Sequence, residues 1–427
     1  MAIVMLIIAL LLLGVGIPVA FVFGGAALLA ALLSPELGLD VFNALPFRIY
    51  GIMSNSTLMS VPLFIWMGLL LERSGMAEKL LISMTSMFGS LKGGLAISVV
   101  LVGAILAATM GIVSASVVMM SLIALPLMTR AGYSKELSSG TIAASGTLGQ
   151  IIPPSVILII LSDVMNIGVG DLFMGAVLPG IVLVGLYIGY ILVISHLKPD
   201  YAPALSEEFK PSSLRSLVFA IVPMVSLMVI VLGSIFAGIA SPSESAAFGV
   251  LGAIVLSVMN RTLTKEKLIE SIRETLKLSG MIFMILIGAT AFSLVFNELG
   301  GTDRVVEFFA GHVDSAWTFI AISMLIVFVL GFFIDFIEIS FIIVPILLPV
   351  MHAYGIDPLW FGILLAMNLQ TSFLTPPFGL SLFFVKGAAG DSLSSREIYR
   401  GIIPFVILQI VALGLVMLFP DLAFAFV

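Results

Sequence analysis

Two carboxylates, Asp335 and Glu338, stand three residues apart in the otherwise apolar run FFIDFIEISFIIVPILL. On a helix that spacing puts both on one face. Burying them in a membrane costs several kcal/mol unless they are compensated. The pair suits cation ligation by Asp335, and cation ligation or proton exchange by Glu338. The alternative is carboxylates that reach water at the tip of a loop.

Two further motifs could hold an ion and an acid together. TIAASGTLGQIIPPSVILII contains Pro153 and Pro154, and LLAMNLQTSFLTPPFGLSLFF contains Pro376 and Pro377. Each pair removes two backbone donors and disfavours continuous helix before it. A helix broken in mid-membrane exposes carbonyls that attract a cation and N–H groups that attract an anion. Ser145, Thr147, Gln150, Asn368, Gln370, Thr371, Ser372 and Thr375 surround the breaks with oxygens suited to a hard cation such as Na⁺. A single such motif is equally well read as Ser and Thr back-bonding in a Pro-kinked helix. Two matched motifs, each preceded by a long apolar stretch with a polar middle, favour binding. In the first of those stretches Ser114 and Ser116 flank Ala115, and residues this small allow close approach to the broken helix, with or without ligation.

Other chemistries are excluded. With no cysteine there is no thiol chemistry, and His196, His312 and His352 are scattered. Gly168–Asp171 reads Gly-x-Gly-Asp, as in intramembrane aspartyl proteases, but no Tyr-Asp pair supplies the second acid, and Asp171 suits a helix start. No zinc-protease, nucleotide-binding or serine-hydrolase motif occurs, so the chain is not an enzyme, needs no cofactor, and moves solute passively or by ion coupling. A net charge of −6 with no basic stripe excludes nucleic acid.

The positioning elements must lie in a lipid bilayer. Of 427 residues 61% are hydrophobic and 10% charged, with a mean hydropathy of +1.27. Apolar runs of about 20 residues, enough for roughly 30 Å of hydrocarbon, recur from end to end. They predict nine crossings, near 2–33, 56–72, 136–165, 171–197, 217–238, 242–260, 281–297, 360–385 and 401–420. The stretches 93–129 and 315–351 are too long for one helix and read as re-entrant hairpins. A cytoplasmic N-terminus and a periplasmic C-terminus then leave only Arg48 and Arg304 outside, in keeping with positive-inside bias. The segment 261–280 reads as an amphipathic arm on the cytoplasmic interface or as a polar loop helix.

Sliding the chain along itself by 223 residues brings Pro126 onto Pro349, Gly132 onto Gly355, and Pro153-Pro154 onto Pro376-Pro377. The expected architecture is all-α and membrane-embedded, with two inverted-topology repeats containing re-entrant hairpins and discontinuous helices. The first repeat covers 1–205, with its hairpin at about 93–129 and its broken helix at about 136–165. A linker and connecting helix cover 206–238. The second repeat covers 239–427, with its hairpin at about 315–351 and its broken helix at about 360–385.

The segments NSTLMSVPLFIWMGLLLERSGM, AASGTLGQIIPPSVILI, DLFMGAVLPG, FIDFIEISFIIVPILLPV and DPLWFGILLAMNLQTSFLTPPFGLSLFF, in this order along the chain, resemble the large membrane subunit of TRAP (tripartite ATP-independent periplasmic) transporters. The resemblance implies an elevator-type, Na⁺-driven importer of a small organic acid in the bacterial inner membrane. Its partners would be a separate four-helix membrane subunit and a periplasmic substrate-binding protein. It implies a first cation site at Ser114, Ser116, Ser145, Gly146, Thr147 and Gly149, and a second at Asp335, Glu338, Gln370, Thr371 and Thr375. Na⁺ is the only metal expected, with H⁺ as the alternative coupling ion. Substrate would lie between the sites, against Ser116, Pro153, Pro154, Ser155, Asn368, Ser372, Pro376 and Pro377. Glu338 departs from the commoner family pattern, which is apolar there. The rival readings are a stand-alone Na⁺/carboxylate symporter of related fold and a channel or membrane scaffold.

Overall fold

The computed structural model describes residues 1–35, 37–110, 113–205 and 214–427, and these form helices joined by short turns, with no strand among them. Part of the expected linker, 206–213, and Gly111 and Ile112 in the expected tip of the first hairpin lie outside the described residues.

The first apolar run is not one crossing. It folds as Ala2–Gly14 and Val19–Leu33, separated by a turn in which Gly16 has φ +87° and Pro18 caps the second helix. A left-handed glycine followed by a residue with no N–H stops a helix however apolar its neighbours are. Met1, Val4 and Ile8 share a crevice with Ala26, Ala30 and Leu33, so the two helices run antiparallel.

A second difference is Lys265–Glu298, a continuous helix of 34 residues that unites the expected arm at 261–280 with the expected span at 281–297. Thr264 caps it, and no proline interrupts it. At 1.5 Å per residue it is about 51 Å long and overruns the hydrocarbon layer. Arg73, at the end of Ser56–Arg73, pairs with Glu270 and Glu274 near its start, while Lys267 donates to the Arg73 carbonyl at 3.0 Å. Farther along, Val19–Leu33 lies against it, with Ala20 beside Gly288 and Phe23 edge-on to Phe292 at 5.2 Å. Met1 and Arg73 therefore lie toward opposite ends of this long helix.

Six described helices are long and apolar enough to cross a bilayer, or seven if Leu39–Met53 and Ser56–Arg73, bent by 54°, count as one span. Several of the expected crossings, among them the two broken ones at 136–165 and 360–385, contain shorter apolar helices of 10 to 17 residues. Two short helices were not anticipated, Met76–Phe88 and Gly301–His312, each preceded by a glycine with positive φ, Gly75 and Gly300. Gly132 with Gly355, and Asn166 with Gly390, are further positive-φ positions at nearly the same separation, about 223 to 225 residues.

Packing is exchanged between the chain's halves. Val19–Leu33 packs on Lys265–Glu298, and Pro242–Met259 on Ser56–Arg73; these four form a frame. Within the inner group, Lys135–Thr147 packs on Ser395–Leu418, and Pro358–Leu374 on Val169–Leu197. The first inner crossing is very close, because a Cβ on Gly140 would fall 2.1 Å from the Gly401 carbonyl oxygen.

Candidate ion and substrate site

Both predicted breaks are present. Lys135–Thr147 runs through a 3₁₀ turn at Leu148–Gln150, breaks, and resumes as Val156–Met165. Pro358–Leu374 breaks and resumes as Leu380–Ala389. Pro153-Pro154 and Pro376-Pro377 are both cis. The third carbonyl before each proline pair is held by a serine hydroxyl, with Ser155 donating to Gln150 O at 2.9 Å and Ser381 to Phe373 O at 2.7 Å. Ser155, expected at the substrate, thus commits its proton to the break, and Ser381 was not anticipated. The breaks differ in access: Pro153 and Pro154 are buried, whereas Pro377 is exposed.

The hydroxyls around the breaks donate to their own helices. Ser145 reaches Ile142 O, Thr147 Ala144 O, Thr371 Met367 O, Ser372 Leu369 O and Thr375 Thr371 O, at 2.7 to 3.0 Å. A hydroxyl that donates still has lone pairs to offer, so back-bonding orients these oxygens as acceptors.

The arms before each break close on it through glycine. In the first half Gly103 of Gly94–Met110 meets Ser145, and a Cβ on Gly146 would fall 2.5 Å from Val117 Cγ2. That contact brings Ser116, buried and adjacent to Val117, to the break beside Ser145 and Gly146. Ser114 is half-buried in the first turn of the same helix, Val113–Arg130, and Gly149 is buried in the 3₁₀ turn. In the second half a Cβ on Gly331 would fall 2.1 Å from Ser372 Oγ, and Asn368 Nδ2 donates to Met324 O at 2.7 Å. The polar tip follows at once. Asp335 caps Phe336–Glu338, its Oδ1 accepting from Phe336 N at 2.6 Å, before a π-helical turn at Ile339–Ile343 leads into Val344–Ala353. Asp335 precedes its short helix and Glu338 ends it, so they flank one turn of chain.

Polar atoms without protein partners gather on these elements. Glu338 is 3% exposed, and its Oε2 has no hydrogen-bond partner; the same holds for Ser340 Oγ, and for both amide atoms of Gln150 and Gln370. Among the described residues Glu338 is the only buried charged side chain. The two halves also meet here. Pro358–Leu374 packs on Leu148–Gln150 and on Val156–Met165, Leu380–Ala389 packs on Val113–Arg130, and Val156–Met165 packs on the Phe336–Ala353 arm.

Apolar membrane-length helices around two interlocked broken helices define the chain as a multi-pass membrane permease. Its fold is that of a solved one: the YdaH transporter of Alcanivorax borkumensis matches with a TM-score of 0.65 over 92% of this chain and 91% of that chain, at 14% identity. Residues 4–422 match the family described as "Tripartite ATP-independent periplasmic transporter, DctM component", and the chain belongs to that family, the large membrane subunits of TRAP transporters. Similar proteins include the C4-dicarboxylate TRAP transporter large permease protein DctM of Pseudomonas aeruginosa, 30% identical over 93% of this chain and 92% of the relative. Another is the sialic acid TRAP transporter large permease protein SiaM of Vibrio cholerae, 29% identical over 95% and 93%.

Proposed function

We propose that this chain is the large permease of a Na⁺-driven, binding-protein-dependent importer of a small organic acid, working by an elevator movement in the inner membrane. The observation that carries this reading is the reciprocal packing of each broken helix on the other half's hairpin arm. It joins two helix breaks, two sets of neutral oxygens and one carboxylate pair in a single group, which packs on the frame through Val156–Met165 against Ser56–Arg73 and Ile339–Ile343 against Lys265–Glu298. The exchanged helix pairs and the positive-φ positions recurring at about 223 to 225 residues support two copies of one inverted unit. A group of this kind can slide past a frame without exposing its polar contents to lipid.

Asp335 supplies the charged ligand of the second cation site, with Thr371, Thr375 and Glu338 around it. Ser114, Ser116, Ser145, Gly146, Thr147 and Gly149 line the first. The acid lies between them, in keeping with relatives named for C4-dicarboxylates and sialic acid. A small membrane subunit and a periplasmic binding protein complete the importer. With the basic loop ends near Arg73 and Lys267 facing the cytoplasm, both Met1 and the C-terminus face the periplasm.

The test is uptake into proteoliposomes holding this chain, its small subunit and the loaded binding protein. Accumulation should require an inward Na⁺ gradient. Uptake by this chain alone without Na⁺ would refute the reading.

A further inference from the structure

An organic acid inside this permease meets no buried Lys or Arg among the described residues. The buried side-chain donors that the protein itself can offer the acid, beside the coupling ions, are therefore neutral. Two amide side chains at the breaks have such donors to spare. Gln150 and Gln370 are 2% and 1% exposed, and neither Nε2 nor Oε1 of either finds a protein partner. Leaving even one such group unpaired costs about 1–3 kcal/mol. The remaining orphaned glutamine, Gln409, differs in lying against the Tyr187 hydroxyl, on helices beyond the breaks.

Gln150 closes the 3₁₀ turn just before Pro153, and Gln370 lies in the last two turns before Pro376. The turn that carries Gln150 packs against the helix that carries Gln370, so the two elements bring one amide each from opposite halves to the junction between the breaks. A cation there would use only the amide oxygens and leave four buried N–H donors unmet. A carboxylate uses the donors.

We infer that Gln150 and Gln370 form a neutral two-amide clamp for the substrate's carboxylate, one amide from each half, which makes them binding residues that set affinity for the acid. This rests on the organic-acid reading above. Neutral donors can hold an anion while the permease cycles empty, whereas a buried Lys or Arg would leave an uncompensated charge on the return journey.

The clamp is tested in the reconstituted three-component importer with radiolabelled succinate, L-lactate and N-acetylneuraminate. Gln150→Leu and Gln370→Leu should each raise KM roughly 10- to 100-fold, the loss expected for one hydrogen bond to a charged group, with little change in the Na⁺ concentration giving half-maximal rate. Gln150→Glu and Gln370→Glu keep an acceptor oxygen and remove the donors. They should abolish acid uptake while the purified chain still binds radiolabelled Na⁺, which also reports its fold if a Leu variant does not assemble. Wild-type KM in a Leu variant, or retained uptake in a Glu variant, overturns the clamp alone. A wild-type importer that takes up none of the three acids fails the organic-acid reading, and the clamp with it.

Discussion

Asn55 Nδ2 donates to Asp163 Oδ1 at 2.5 Å, across 108 residues of sequence. Asn55 also caps Ser56–Arg73, its Oδ1 accepting from Thr57 N and Leu58 N. Asp163 lies near the C-terminal end of Val156–Met165, where an acid opposes the helix dipole and needs a donor. One bond thus ties a frame helix to the far half of the first broken helix.

If the inner group slides past the frame, this contact must open in each cycle. The chain has no cysteine of its own, so Asn55→Cys with Asp163→Cys forms the only available disulfide. Oxidation should stop uptake and reductant should restore it. Full uptake with the cross-link formed would exclude sliding at this boundary.

Asp335→Asn separates charge from capping. Asparagine keeps an oxygen for the Phe336 N–H and remains a good cap, so the thermal midpoint should hold. Removing the negative charge should raise the Na⁺ concentration for half-maximal uptake by about tenfold or more, as expected when a charged ligand is lost. An unchanged Na⁺ dependence would remove Asp335 from the cation site.

Glycine substitutions should divide by what a methyl group would meet. Gly140→Ala drives Cβ into the Gly401 carbonyl, backbone against backbone, and should cost about 1–3 kcal/mol and much of the folded yield. Gly185, in Val169–Leu197, leaves open space for 4 Å around the place a methyl would take, so Gly185→Ala should be neutral or gain about 0.5–1 kcal/mol. Thermal unfolding in detergent distinguishes the two.

The serine stitches should count separately. Ser155→Ala and Ser381→Ala each deprive a break carbonyl of its donor and should each lower stability by about 1 kcal/mol, read as a fall in midpoint. Equal loss at both would match the two breaks in stability as they match in hydrogen bonding.

What could be read from the sequence was the local effect of strong signals. Prolines break a helix wherever they fall, so both discontinuities were legible, and Asp335 and Glu338 stood out because charge is rare in an apolar run. The turn at Gly16–Pro18 was missed because its neighbours are apolar and hydropathy does not register a backbone angle. Lys265–Glu298 was divided because its composition changes from charged to apolar with no interruption of the backbone. Asn55 with Asp163, and Ser381 with the Phe373 carbonyl, depend on chain segments meeting in space. The breaks identified Gln150 and Gln370 as nearby oxygens, but their lack of partners belongs to the packing alone.

The exchange of helices between halves also bears on how the protein is made. Val19–Leu33 leaves the ribosome long before Lys265–Glu298, the helix it packs on, and Ser56–Arg73 long before Pro242–Met259. During synthesis the first half must wait in the bilayer with its partner faces against lipid until the second half arrives to cover them. A chain cut at its middle would yield two pieces that cannot complete their own interiors and must find each other, so the halves are bound to fold as a pair.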